Sequence, residues 1–164
     1  MGESSQVGLY ERPAAPDGII VERMRDDHLP GVLRIEQESY STPWSREGFT
    51  KELENFPTTV AIVARRERVV VGYVVAWFVT EEAHIGNVAV AREARQQGIG
   101  RVMLEWLLER AVAHGCTCAT LEVRESNLAA RRLYERLSFR SVGRRRAYYM
   151  KPSEDAIVMV RELA

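Results

Sequence analysis

The chain has 164 residues, the size of one globular domain, and 46% of them are hydrophobic, enough for a proper core. Its 23 basic and 23 acidic residues cancel, with a pI near 6.9, so the basic excess of a nucleic-acid binder is absent. No apolar stretch reaches membrane-spanning length, no signal peptide is present, and Gln6 stands where a myristoylation motif needs Ser or Thr; a soluble, cytoplasmic protein without a membrane partner is expected.

Residues 1–17, rich in Gly, Pro, Ser and Ala, read as a loose tail, and residues 18–164 as a single domain without internal repeat. A first strand is expected over Gly18–Met24. Asp26 and Asp27 open a helix to about Tyr40, where acidic side chains suit the first turn and Leu29, Val32, Leu33 and Ile35 form an apolar side. Pro43 ends it, because proline drives its predecessor out of helical geometry, and Ser45 caps a second helix to about Glu54. Thr58–Ala64 and Val69–Val79 are β-branched runs around a charged turn, hence a hairpin; a third strand follows over Ala83–Val90.

The next helix, Arg101–Ala113, is apolar nearly all round except for Arg101, Glu105 and Glu109, which predicts deep burial. His114-Gly115 fits its C-terminus. Thr117–Val123 is a strand, a short helix capped by Ser126 or Asn127 runs to Leu137, and Arg140–Tyr149 with Asp155–Val160 forms a closing strand pair. The order is β-α-α-β-β-β-α-β-α-β-β, an α/β fold with a mixed, twisted sheet and helices on both faces. Cys116 and Cys118 would share one strand face; with the three histidines scattered, no metal site is expected and small buried thiols are. Arg144-Arg145-Arg146 reads as a solvated strand or loop.

Between the strand Asn87-Val88-Ala89-Val90 and the long helix lies Arg95-Gln96-Gln97-Gly98-Ile99-Gly100. Strand, glycine loop and helix N-terminus together make a phosphate site, because the free N–H groups of the first turn and the helix dipole both favour an anion. Gly98 and Gly100 permit close approach and positive φ. The plain alternative is a tight turn.

Two side chains have the chemistry for proton transfer. Glu122, near the end of its strand, shares a face with Cys118 and Thr120; it reads as a general base or as a surface charge paired with Arg124. Tyr134, on the short helix, reads as a proton donor or as a packed aromatic. Trp44 and Tyr148 read equally as walls of a substrate slot or as core.

Arg-x-x-Gly-x-Gly after such a strand resembles the pyrophosphate loop of the GNAT superfamily of N-acetyltransferases, and the element order resembles the GNAT fold from end to end. Ser41-Thr42-Pro43-Trp44-Ser45, Leu121-Glu122-Val123-Arg124-Glu125-Ser126-Asn127, Leu133–Phe139, Tyr148-Tyr149 and Glu154–Met159 narrow the likeness. Over residues 18 to 162 the chain resembles the bacterial ribosomal-protein-alanine N-acetyltransferase branch. That resemblance implies transfer of acetyl from acetyl-CoA to the N-terminal alanine of ribosomal protein S18, by direct attack and without a metal. It implies Glu122 as base, Tyr134 as acid, Val88, Ala89 and Val90 on the acetyl and pantetheine part, Gln96, Gln97, Gly98, Ile99, Gly100 and Arg101 on the pyrophosphate, and Asn127 on coenzyme A. Rival readings are a GNAT enzyme for lysine or a small amine, and a non-catalytic acetyl-CoA sensor; the oligomeric state stays open. Two positions depart from the family pattern: Ser138 replaces the usual glycine after the short helix, and Met150 follows the tyrosine pair where proline is common.

Overall fold

The computed structural model describes residues 16–163. The expected tail therefore lies outside the described residues except for Pro16 and Asp17, which turn into the first strand with Ile19 N–H donating to the Pro16 carbonyl. The elements are β1 (Ile19–Arg23), α1 (Leu29–Ser39), α2 (Arg46–Glu54), β2 (Thr59–Arg66), β3 (Val69–Val79), β4 (Glu82–Val90), α3 (Ile99–Ala113), β5 (Cys118–Arg124), α4 (Leu128–Arg136), β6 (Arg140–Met150) and β7 (Ser153–Glu162). This is the order expected from the sequence. The first helix differs in detail: Asp26–His28 form a separate 3-10 turn before α1. Pro30, in the first turn of α1, has no N–H to give, which suits a helix start rather than an interior.

The seven strands lie in the order β1-β2-β3-β4-β5-β7-β6, with β4 and β5 the single parallel pair among the described residues. Helices α1 and α2 cover one face, where Phe49 meets Tyr73 edge-on at 5.8 Å. Helix α3 covers the other: Met103 packs so closely on Gly72 that a Cβ there would stand 2.8 Å from its terminal methyl. Covered on both faces, β3 is a near-continuous apolar run rather than an alternating one. Cys116 is buried as expected, but it precedes β5 rather than lying on it, and Cys118 is only half-buried.

The sheet is not closed throughout. Strands β4 and β5 pair only from Glu82–Cys118 to Ile85–Leu121. Beyond that point β4 follows β3 to Val90, while β5 follows β7 to Arg124. The fork starts at a bulge: Val75 lies opposite Asn87 and Ala76 opposite Ile85, so Gly86 is the extra residue. Only glycine fits there, because a Cβ on Gly86 would stand 2.1 Å from the Trp77 ring.

Ser138 occupies the left-handed conformation after α4, with φ 66°, the geometry for which glycine is the usual residue. The Cβ penalty there exceeds the extra unfolded-chain entropy of glycine. Ser138→Gly should therefore stabilise the fold by about 0.5–1 kcal/mol, read as a raised urea midpoint at unchanged slope.

Candidate active site

The fork leaves one edge of β4 without a strand partner. Ala91 N–H donates to the Val71 carbonyl, so Ala91 and, by alternation, Ala89 direct their ladder groups toward β3. Val88 and Val90 direct theirs into the fork. Their carbonyls are already taken: Tyr40 Oη–H donates to Val88 O at 2.7 Å, and Arg95 Nε–H donates to Val90 O at 3.0 Å. What remains toward the fork is a pair of N–H donors. Of the three residues singled out in this strand, Val88 and Val90 present such groups and Ala89 does not.

Below the fork, the loop Gln96–Gly98 leads into α3. Gly98 is left-handed (φ 82°), and so is Gln96 (φ 62°). Gly98 stands at the N-cap position with no side chain capping the first turn, so the N–H groups of the helix start are open to an anion. The Ile99 side chain is core, and Gln97 is held by Arg66 Nη2 at 3.0 Å. Arg101 pairs with Glu105 at 3.6 Å. Gly100 is not left-handed; its role is packing, since a Cβ there would stand 3.1 Å from Leu133 of α4. Loop, α3 and α4 are thus held as one cradle; among the described residues no group of three or more His, Cys, Asp or Glu side chains gathers as a metal site would.

Glu122 is the first residue of β5 beyond the fork. It does not pair with Arg124, which bonds Glu154 at 3.2 Å and the carbonyls of Lys151 and Pro152. Instead Glu122 Oε2 lies 2.7 Å from His84 Nε2, and Oε1 lies 3.4 Å from Arg145 Nε. Its side chain is only 12% exposed. Nor is the arginine run merely solvated: Arg144 bridges Glu125 at 2.6 Å and Asp155 at 3.0 Å.

Tyr134 is buried on α4, and burial pushes its phenol well above the ordinary range. It therefore keeps its proton at any working pH, and no hydrogen bond ties it to another described residue. Tyr149 of β6 lies near both candidates: burial, chiefly, with added charge from Glu122, pushes it up to about 12, and it acts in turn on Tyr134. Asn127 Oδ1 accepts from Ala130 N–H at 3.2 Å and caps α4, which leaves its amide N–H₂ for a ligand. Trp44 packs on Phe49 and Trp77, while Tyr148 stands exposed beside Arg145.

Sequence reasoning missed Glu36, Tyr40, His84 and Arg145. Glu36 is a fully buried carboxylate on α1. It accepts from the Tyr73 hydroxyl, from Trp44 N–H at 3.1 Å and from the Asn87 amide at 3.3 Å. One side chain thus joins α1, β3, the start of α2 and the bulge of β4. A run of acidic and polar residues on an exposed-looking helix turn gave no signal of this.

The chain matches the acetyltransferase (GNAT) family over residues 29–139. It is 32% identical over 139 residues to a putative ribosomal protein bS18-alanine N-acetyltransferase of Bacillus subtilis, covering 85% of this chain and 92% of that one. It is 33% identical over 145 residues to the ribosomal protein bS18-alanine N-acetyltransferase of Escherichia coli, covering 85% and 94%. The crystal structure of the ribosomal-protein-S18-alanine N-acetyltransferase from Escherichia coli superposes with a TM-score of 0.81 at 30% identity, over 89% of this chain and 94% of that one. The chain belongs to the GNAT family of acetyltransferases.

Glu36→Ala would leave three donors without an acceptor and should destabilise the protein by about 3 kcal/mol in urea titrations. Glu36→Gln tests the charge. Burial raises the Glu36 carboxyl, so the folded state holds that proton more tightly than the unfolded chain, and this stabilising contribution is lost as pH rises through the folded value. Relative to Glu36→Gln, the wild type should lose stability from about pH 4.5 upward; parallel stability–pH curves would show that the carboxyl is not perturbed.

Proposed function

We propose that the protein transfers the acetyl group of acetyl-CoA to the N-terminal α-amine of a protein, with the N-terminal alanine of ribosomal protein S18 as its substrate, and that residues 18–164 act as one catalytic unit. The observation that carries this reading is the carboxylate of Glu122, placed at the mouth of a strand fork whose opposite edge presents the Val88 and Val90 N–H groups. The two bS18-alanine acetyltransferase relatives support the substrate class. An α-amine titrates near ~7.7–8.0 against ~10.4 for lysine, so an N-terminus is the easier nucleophile near neutrality.

Acetyl-CoA supplies an activated acetyl group and a thiolate that can leave. The open first turn of α3 holds its pyrophosphate, with Gln96–Arg101 as the cradle and the Asn127 amide as a further contact. The Val88 and Val90 N–H groups donate to the carbonyl oxygen as negative charge grows on it. Glu122 takes the proton that the attacking nitrogen sheds as its bond to carbon forms. Tyr134, protonated before the reaction, donates its proton to the departing thiolate, and the phenolate takes one back from water.

Glu122→Gln keeps shape and removes the base. Turnover of a peptide with a free alanine N-terminus should fall about 10²-fold at neutral pH and recover in part as pH rises, because more amine is then neutral without help. A variant as fast as wild type at every pH would place the base elsewhere. Tyr134→Phe keeps the ring and should lower kcat by about 10²–10⁴ with little change in acetyl-CoA affinity by calorimetry. Unchanged kcat would return Tyr134 to a packing role.

A further inference from the structure

His84 enters neither the sequence pattern nor the reaction described above, yet it makes the shortest contact to the proposed base. It lies on β4 at the last rungs of the parallel pair, where it stands opposite Thr120, two residues before Glu122. Its ring is stacked at a tilt on Trp77, with centroids 5.7 Å apart, and Trp77 is itself held by Glu52 through its indole N–H at 2.8 Å. The imidazole is thus fixed in plane and direction, with Nε2 2.7 Å from Glu122 Oε2.

A carboxylate only accepts, so at this distance Nε2 must carry the proton. That bond settles which oxygen of Glu122 is occupied. Oε2 is bound to the imidazole, and Oε1 is left with the longer contact to Arg145, 3.4 Å away on a side chain that is 59% exposed. We infer that His84 is the positioning residue of the catalytic carboxylate: its neutral Nε2–H holds Oε2 and thereby presents Oε1 to the amine. The inference rests on the reading of Glu122 as the base. His84 keeps its own proton throughout; the amine proton ends on Glu122 Oε1 and leaves from there to water.

Among the described residues, the remaining contacts leave His84 alone in this role: Arg145 reaches the other oxygen of Glu122 from β6, and Glu82, two residues earlier on β4, is bonded to Thr120 instead.

The test uses full-length protein, acetyl-CoA and a panel of free-amine peptides that includes an Ala-Arg start, following thiol release. His84→Ala should lower kcat by roughly 10-fold or more with KM for acetyl-CoA unchanged, since one hydrogen bond to a charged group is lost. His84→Gln, whose amide N–H can reach the same oxygen, should recover most of kcat, which a merely structural role for the ring would not predict. Wild-type turnover in His84→Ala, or a His84→Gln variant no faster than His84→Ala, would overturn the inference. A second readout needs no substrate. Long-range ¹⁵N–¹H NMR should show His84 Nε2 as a hydrogen-bonded N–H that shifts in Glu122→Ala; an Nδ1–H tautomer in the wild type would contradict it. A wild type that acetylates none of the peptides would defeat the functional reading instead, while the NMR result still decides the contact.

Discussion

The site depends on the bulge at Gly86 and on two side chains that hold it, Glu36 of α1 and Tyr40 just beyond its end. A strand that pairs on both edges has no free N–H groups to offer. Here β4 gives up its partner after four residues, and the separation must be maintained against the tendency of open strand edges to find a partner. Glu36 grips the bulge through the Asn87 amide and the sheet through the Tyr73 hydroxyl. Tyr40, one helical turn later, fills the Val88 carbonyl. With both carbonyls of the open edge occupied, by Tyr40 and Arg95, the edge becomes a row of donors only. That polarity is what an oxygen gaining negative charge requires.

The same packing distributes the remaining parts. Trp77 forbids a side chain at Gly86 and also supports the His84 ring, so the residue that shapes the bulge also orients the partner of Glu122. Glu36 receives the Trp44 N–H, which ties the entry of α2, and with it the Ser41–Ser45 segment, to the bulge. Ser41 reaches on to the Lys151 carbonyl in the β6–β7 turn. The β6–β7 turn, next to Tyr148 and Tyr149, is therefore linked through a short chain of contacts to the helix that holds the donor edge.

Element order, cap residues and the glycine loop were legible in the sequence because each rests on local chemistry. Ser45 accepts from Gly48 N–H and Asn127 from Ala130 N–H, as capping residues do. Glu122 was placed on the correct face by alternation alone. Its partner was not: Arg124 sits on the same face and is near in sequence, but Glu154 claims it, and the contact that matters comes from 38 residues away through the parallel register. Glu36 was hidden for the same reason. A glutamate on an amphipathic helix reads as solvent-facing until the strands it satisfies are known to lie behind it. Gly100 reads in the sequence as a second position for positive φ, like Gly98, but it is not left-handed, and the room it leaves for Leu133 is a tertiary fact.

The account stands or falls on where the acetyl group goes. The direct measurement is mass spectrometry with fragmentation of a peptide that carries both a free alanine N-terminus and internal lysines, after incubation with the protein and acetyl-CoA. The account predicts one acetyl group, on the α-nitrogen, and no product from the same peptide with its α-amine blocked. Acetyl on a lysine side chain, or equal reaction of the blocked peptide, would contradict it.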